Sequence, residues 1–472
     1  MPASFARELV KQVLYNPQRS ASASSSRNYS VYTKEDIYGW LQAPTSNEQN
    51  LRSASNYLFF SSQHYQRLIF YYARLIVGAY VISPLGYDES YKKNVFKKQY
   101  YKVAKELELM DIPSQLWDVL TVSIREGVYY GVRWKDKNSS FIQRISPDIC
   151  KITSICDDTF LYSVDMSKVS RSLEFYPPEF TDMYNEYLRT GQKYQEVPMD
   201  ISVCVKADSS VPDVSIPLFA AVMPSLYTIA NAEALQETAD EIHNYKMIAG
   251  QLPVDEDGNP LMDYDIVMKY YNHLAGAVGE NIGVAVTPFK LSPFTFDEPS
   301  ATRAVDNISK AIGNFWSSAG TSGLLHGMSN DTAGVTKLAI KNDETYIMGM
   351  VKQYERLVNR YLKTCFSSNP KFKITILPVT VFNKDETIKQ YKEAASFGLG
   401  KSYYAAAIGI PQYDVLALDY LEKEVCGYDN LTPLRSSYNS STENTVGRPA
   451  ANDEDLDTEG QQTRDNDTNA NR

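Results

Sequence analysis

The sequence contains few of the residues that hold metal ions or build disulfide frameworks. Its 472 residues include five cysteines and four histidines, which fall at no repeated metal-ligand spacing. An odd and sparse cysteine count is typical of a reducing compartment. Residues 1–18 are polar and amphipathic, without the apolar core of a secretory signal. The sequence therefore predicts no metal site, no cofactor and no secreted disulfide-rich domain.

Long apolar runs are also missing. The strongest membrane candidate is residues 68–82, which is shorter than the ~20 residues a span needs and contains Arg74. We expect a core helix there and no membrane partner.

An excess of positive charge is lacking as well. The 47 Lys+Arg against 57 Asp+Glu give a net charge of −10, and residues 451–472 alone hold seven acids and two bases. We find no basic stripe of the kind that grips DNA by neutralising phosphates. Residues 427–472 have almost no apolar surface to bury and are expected to be a disordered acidic tail.

Helical periodicity, by contrast, is abundant, and tyrosine is enriched to 35 residues. Apolar residues recur at spacings of three and four between residues 50 and 131. Thr33 and Asp36 are predicted to form a capping box at the N-terminus of a short helix that begins after Thr33 and precedes residue 50. Two long helices are predicted, over residues 215–250, with a kink at Pro224, and over residues 333–366. The apolar seam of the second consists of Leu338, Tyr346, Ile347, Met350, Val351, Tyr354, Leu357, Val358, Tyr361 and Leu362.

Strands are predicted where the period changes to two. These are residues 141–145, 149–155, 160–164, 201–205, 284–286, 289–296 and 372–381. Residues 251–300 are expected to contain turns and strands only. Further helices are predicted from Pro177–Pro178 to Gly191, from a cap at Ser300 to residue 317, and over 385–397 and 411–425.

The best enzymatic candidate is Gly400, Lys401 and Ser402, which resemble the end of a phosphate-binding loop. Ala395 stands where that loop needs glycine, and a helix rather than a strand is predicted before it. Helix-ending glycines are the favoured interpretation, with Ser402 as the next cap. Likewise, the glycines at 320 and 323 favour a turn between two helices over an anion cradle.

Metal binding is weighed at two places. His243 lies near Glu237 and Asp240 on a predicted helix, where a solvated face is the commoner explanation. Cys150 and Cys156 flank a strand, and a core role is favoured for them. No nucleophile with a histidine base can be assembled, so we expect no enzyme.

Three stretches, in their order and spacing, resemble the portal (head–tail connector) proteins of tailed bacteriophages, especially those of Gram-positive hosts. The first runs from Phe175 through Lys206 to Pro217. The second is residues 284–296. The third comprises Gly320 to Leu324, residues 329–340, Asp343, Gln353, Tyr354 and Glu355.

The resemblance implies a mainly helical α+β portal-like fold that assembles as a ring of twelve. The composition of residues 1–50 predicts an N-terminal arm, and by that analogy residues 51–165 are the wing, 166–214 the clip and 215–250 a stem helix. Residues 251–330 continue the wing with a tunnel loop at 297–303, 331–426 form the long helix and crown, and 427–472 are the tail. The DNA-channel candidates are Glu233, Glu237, Asp240, Glu241, Lys290, Asp297, Glu298 and Arg303.

The implied partners are double-stranded DNA passing through the channel without sequence specificity, terminase, the major capsid and scaffolding proteins, and neck, adaptor and tail proteins. The implied location is the portal vertex of the virion, with assembly in the host cytoplasm. Two alternatives stay open: a nucleotide-binding component of DNA packaging, and a minor head or scaffold protein that forms no ring.

Overall fold

The computed structural model describes residues 31–427, except for residues 87–91, 137, 171–172, 245, 252, 254, 256–260, 278–281, 288–298 and 327–332. The chain divides into a large unit, Met1–Val415, and a C-terminal unit, Leu416–Arg472. The expected tail and the Ser-rich run before residue 31 lie outside the described residues. The described fold is α+β and mainly helical.

Five helices and one strand occupy the first part of the chain. They are α1 (Lys34–Gln42), α2 (Glu48–Ser61), α3 (Gln63–Ala73), β1 (Tyr80–Pro84), α4 (Lys93–Met110) and α5 (Ile112–Glu126). The predicted capping box is confirmed, since the Asp36 amide donates to Thr33 Oγ1 at 3.1 Å and the Thr33 amide to Asp36 Oδ2 at 2.9 Å. The core helix predicted over residues 68–82 is wrong in its second half, because α3 ends at Ala73 and β1 follows.

Two antiparallel three-stranded sheets come next. In the first, β2 (Val128–Lys135) lies between β3 (Ser140–Ile145) and β7 (Ser202–Lys206). In the second, β5 (Thr159–Asp165) lies between β4 (Cys150–Cys156) and β6 (Tyr194–Glu196). The helical prediction for residues up to 131 missed the start of β2.

Two helices lie between β5 and β6 in the chain. They are α6 (Met166–Val169) and α7 (Glu179–Thr190), and α7 ends at Gly191 as predicted, with a φ of +73° there. Phe180 and Met183 of α7 lie in a hydrophobic core shared with β2, β4 and β5. The segment assigned to the clip therefore shares both sheets and one core with the segment assigned to the wing.

The helix predicted over residues 215–250 is shorter. α8 covers Met223–Asn244, and residues 246–251 form β8 (Lys246–Gln251), which pairs in parallel with β9 (Ile282–Thr287). Its 22 residues span about 33 Å rather than about 50 Å. Pro224 lies in the first turn of the helix, where proline has no intrahelical hydrogen bond to lose and need not cause a kink. Pairing with a distant strand, which no local pattern reveals, ends the helix.

Residues 251–300 contain a helix that the sequence analysis did not predict. α9 (Tyr264–Ala277) connects β8 to β9, so the three elements form a parallel strand–helix–strand unit. The next helix, α10, covers Pro299–Ser318. Pro299 takes its first position, which suits a proline, so Ser300 is inside the helix and is not its cap. The strand predicted over residues 289–296 lies outside the described residues.

The second long helix is confirmed. α11 covers Ala333–Cys365, 33 residues, and buries one continuous face in the large core. Eight of the predicted seam residues are buried there, but Leu338 and Tyr346 are 70% and 54% exposed. Thr336, Ile340 and Asp343 are also buried on α11, so its buried face begins in the first turns and Leu338 and Tyr346 lie off it.

The remaining elements complete both units. β10 (Phe372–Ile376) pairs antiparallel with β1. Then come α12 (Lys384–Ser396), α13 (Lys401–Ile408) and α14 (Gln412–Tyr420), and a π-helical turn at Leu421–Val425. In the C-terminal unit, Lys423 Nζ contacts Asp419 Oδ1 at 2.6 Å. Among the described helices, none is both long and apolar enough to cross a membrane.

Candidate functional site

Only part of the predicted channel set falls on described residues. Glu233 and Glu237 are exposed on α8. Asp240 and Glu241 lie in the last turns of the same helix, and only their backbone is described. α8 and α10 pack against each other, which brings the helix of Glu233 beside the helix of Arg303.

The predicted tunnel loop is only partly described. Lys290, Asp297 and Glu298 lie outside the described residues. The segment from Pro299 onward belongs to α10, so Arg303 stands on the second turn of a helix and not in a loop. The prediction of a loop over residues 297–303 is therefore wrong from Pro299 onward.

The resemblance of Gly400, Lys401 and Ser402 to a phosphate-binding loop does not extend to the backbone. α12 precedes them where the nucleotide-binding motif requires a strand. Gly398 and Gly400 take left-handed φ values of +87° and +59°, as glycines at helix ends do. α13 begins at Lys401, so Ser402 is in its first turn and is not its cap.

Of the remaining weighed sites, the Gly320 turn and Cys150 follow the simpler interpretations, whereas the core role predicted for Cys156 is wrong, since it is half-buried and outside the core cluster. Gly320, at a φ of +80°, ends α10, and a short 3-10 turn at Gly323–His326 precedes α11. Cys150 is buried, and burial raises the pKa of its thiol well above the usual value. The side chain of His243 lies outside the described set. Within the described part of the chain, no three His, Cys, Asp or Glu side chains are grouped to hold a metal ion.

One cavity of about 380 Å³ opens between β2, α7 and α11. Its lining combines two cations with three carboxylates: Arg133, Lys135, Asp136, Glu179, Asp200, Ile201, Tyr361 and Cys365. Lys135 Nζ is bonded to Tyr361 Oη at 2.9 Å and to Glu106 Oε1 at 3.0 Å. The lining has one more carboxylate than cations, so its net charge does not favour binding of an anion.

The residues that carried the sequence resemblance make buried contacts from α11. Asp343 is 1% exposed and accepts hydrogen bonds from the hydroxyls of Tyr71 at 2.8 Å and Tyr72 at 2.9 Å. Burial raises the pKa of the Asp343 carboxyl. Two carboxyl hydrogen bonds thus fix the N-terminal half of α11 to α3.

Gln353 and Lys206 form a second such contact. The side-chain amide of Gln353 exchanges two hydrogen bonds with the Lys206 backbone, at 3.1 and 3.0 Å. The Lys206 side chain is fully buried, and its ammonium donates to the carbonyls of Val211, Pro212 (2.8 Å) and Val214 (2.7 Å). All three protons of the ammonium are used, so the loop before α8 is held in one conformation.

Arg360 makes the third contact of α11. It is 3% exposed, and its guanidinium donates to Thr159 Oγ1 at 2.5 Å and to the Ser202 carbonyl at 2.7 Å. No carboxylate of the described residues pairs with it, and burial lowers its pKa. Neutral oxygens of β5 and β7 therefore hold a buried charge and tie α11 to both antiparallel sheets.

α4 presents a basic surface that the charge totals of the sequence do not predict. Residues 92–105 contain six lysines and no acid, and all six side chains are exposed: Lys92, Lys93, Lys97, Lys98, Lys102 and Lys105. Within the described part of the chain, none of them forms an ion pair. Charge totals over the whole chain hid this cluster, whereas a count over a 14-residue window reveals it. The statement that the chain has no basic stripe is therefore wrong.

Comparisons with known proteins give structural similarity only. No family model and no curated protein matches the chain. A chain from the virion of a native gene transfer agent (GTA) particle is 12% identical, with a TM-score of 0.44, covering 79% of this chain and 99% of that one.

Two further solved structures are similar to the same degree. A chain of the neck of the native GTA particle, computed with C12 symmetry, is 11% identical, with a TM-score of 0.44 over 77% of this chain and 94% of its own. A chain of the neck of the empty GTA particle, computed with C6 symmetry, is 13% identical, with a TM-score of 0.43 over 76% and 94%. These scores are too low to establish a common fold.

Proposed function

We propose that this chain is a portal subunit of a tailed bacteriophage, of the type found in phages of Gram-positive hosts. Twelve copies would form a ring at one vertex of the capsid, through which the genome is packaged and ejected. The observation that supports this is the order of elements after residue 200. The buried strand β7 is followed by the loop that the Lys206 ammonium holds, and then by α8. After α8 come the β8–α9–β9 unit, α10, the turn at Gly320 and the 33-residue α11.

The assignment of regions is part of the proposal. Residues 51–165 and 251–330 would form the wing, 166–214 the clip, 215–250 the stem and 331–426 the long helix and crown. The clip segment would not move independently, because its β6 and β7 pair with strands of the wing segment. The N-terminal arm would be anchored at α1, whose Lys34 Nζ donates to Thr228 Oγ1 of α8 at 3.1 Å.

The proposed partners follow from the ring. Double-stranded DNA would pass along its axis without sequence-specific contacts, past exposed acids such as Glu233 and Glu237 that repel the phosphate backbone. Terminase, capsid and scaffolding proteins, and neck, adaptor and tail proteins would dock on its outer faces. The chain would act as a structural virion protein and would hydrolyse no nucleotide, since Lys401 lacks the strand–loop–helix context of a phosphate-binding loop.

Particle mass and negative-stain images of the purified protein test the ring. Annular particles with the mass of twelve chains are expected, with no ATP turnover above that of a Lys401→Ala variant. A monomer at micromolar concentration would refute the ring. Turnover of ATP that disappears in Lys401→Ala would instead support the packaging-enzyme alternative.

Residues 297–303, which include the first turn of α10, would project toward the channel. Deleting residues 297–301 is expected to leave the ring intact and to impair packaging or retention of DNA in infected cells. Normal yields of full heads from the deletion would refute this assignment. A ring structure that places Arg303 on the outer rim would refute it too.

A further inference from the structure

We propose that the lysine face of α4, formed by Lys97, Lys98, Lys102 and Lys105, binds the phosphate backbone of double-stranded DNA without sequence specificity. The inference goes beyond the portal proposal, because the face lies outside the predicted channel set and needs no ring to act. It is carried by side-chain placement on one described helix.

The four lysines share one side of α4. At 100° per residue they fall within an arc of about 140° and extend over about 12 Å of helix. The opposite side is buried: Gln99, Val103, Glu106, Leu107 and Met110 all face the core. α4 is therefore fixed in place and presents its ammonium groups outward.

The acids nearest this face do not neutralise it. Glu106, on the buried side, is paired with Lys135 Nζ at 3.0 Å. Glu108 is exposed within the arc and, among the described residues, forms no ion pair with a lysine, so its one negative charge leaves an excess of three positive charges from the four lysines. The face thus keeps its positive charge although the whole chain carries −10.

The composition of the face favours nucleic acid over a protein partner. Lysine is depleted from the cores of protein interfaces, whereas arginine and aromatic anchors are enriched there. The arc contains no arginine, and its one aromatic residue, Tyr101, lies half-buried beneath Lys97, whose Nζ is 5.7 Å from the ring centroid. Lysines act on phosphates as point charges, which gives affinity without sequence selection.

The range of the interaction is short enough for a local patch to act. At physiological ionic strength the screening length is about 8 Å, so distant acids of the chain contribute little at the surface of α4. Each strand of a DNA duplex carries one charge per ~3.4 Å of axis, so a row of lysines about 12 Å long lies alongside about four phosphates of one strand.

The test measures binding of the full chain to a mixed-sequence DNA duplex by fluorescence anisotropy between 50 and 200 mM NaCl. If one chain engages four phosphates, affinity should fall about 150-fold over this range. The triple variant Lys98→Gln, Lys102→Gln, Lys105→Gln should bind much more weakly at 50 mM NaCl. Its residual affinity should fall only about 4-fold between 50 and 200 mM NaCl, because one lysine of the face is left. Two duplexes of different sequence should bind equally.

The matched control changes the same charge elsewhere. Lys341→Gln, Lys389→Gln, Lys392→Gln removes three exposed lysines from α11 and α12 and should bind DNA as the unaltered chain does. Equal loss in both triple variants, unchanged binding by the α4 variant, or capture of an acidic protein but no DNA would overturn the inference. Particle mass is measured on the same samples, so a monomer that needs α4 to bind DNA would refute only the ring. A ring that binds DNA equally well with and without the three α4 substitutions would refute only this inference.

Discussion

Acidification should destabilise this protein through His326. Its ring stacks on Trp316 with centroids 3.4 Å apart and planes at 4°, and its buried Nε2 has no hydrogen-bond partner among the described residues. Burial, reinforced by the nearby Arg67 and His64, lowers the pKa of His326 from 6.5 to about 4. The folded protein therefore resists the proton that the unfolded chain accepts.

The magnitude follows from these two pKa values. Between pH 7 and pH 5 the unfolded chain gains a proton on His326 while the folded chain stays neutral there. Stability is thus lost as the pH falls below 6.5, and the loss amounts to about 2 kcal/mol by pH 5. Burial also lowers the pKa of His64, which adds a loss of the same sign.

Urea unfolding followed by far-UV circular dichroism at pH 7 and pH 5 measures this loss. His326→Phe keeps an aromatic ring on Trp316 but cannot bind a proton, so its free energy of unfolding should fall by about 2 kcal/mol less than that of the unaltered chain. His273→Phe, at an exposed position of α9, is the matched control and should behave like the unaltered chain. An equal loss in the unaltered chain and in His326→Phe would refute the reasoning.

Two further predictions concern stability, measured by the same unfolding assay. Lys206→Met removes three hydrogen bonds from a buried ammonium and should cost about 2–4 kcal/mol, whereas Lys389→Met at an exposed position should change stability by no more than about 0.5 kcal/mol. Equal losses of stability in the two variants would refute the claim that the Lys206 ammonium stabilises the loop before α8. Ile347→Ala, fully buried on α11, should cost about 2–5 kcal/mol, and Leu338→Ala, 70% exposed, less than about 1 kcal/mol. A larger loss of stability in Leu338→Ala than in Ile347→Ala would show that Leu338 lies on the buried face of α11.

Elements with signals in their own sequence could be predicted. The capping box at Thr33, the glycine that ends α7, the turns around β4 and β5 and the 33-residue periodicity of α11 are all local. Each depends on residues fewer than five positions apart, repeated where the element is long. Such signals survive because the surrounding fold does not have to be known to interpret them.

The errors share a different cause. The sequence pattern predicts helix at β1, at the start of β2 and at β8, but each is held by a strand distant in sequence: β10, β7 and β9. Apolar β-branched residues suit either a helix or a strand until a partner strand decides. The late start of α8 also depends on contacts outside the helix, because Lys206 and the Ile124 carbonyl, which accepts from Leu218 at 3.0 Å, hold the preceding residues in turns.

The basic face of α4 was missed for another reason, which bears on the proposed function. Of the residues that carried the resemblance, Asp343 and Lys206 are buried and Gln353 is half-buried, and all three hold α11 in place. Such residues identify how a chain folds and say little about what its surface binds. A surface that acts on DNA depends on exposed charge, which the fold leaves free to vary. Packing against the core turns the lysines of α4 outward together, so the resemblance and the DNA-binding proposal rest on different residues and can fail separately.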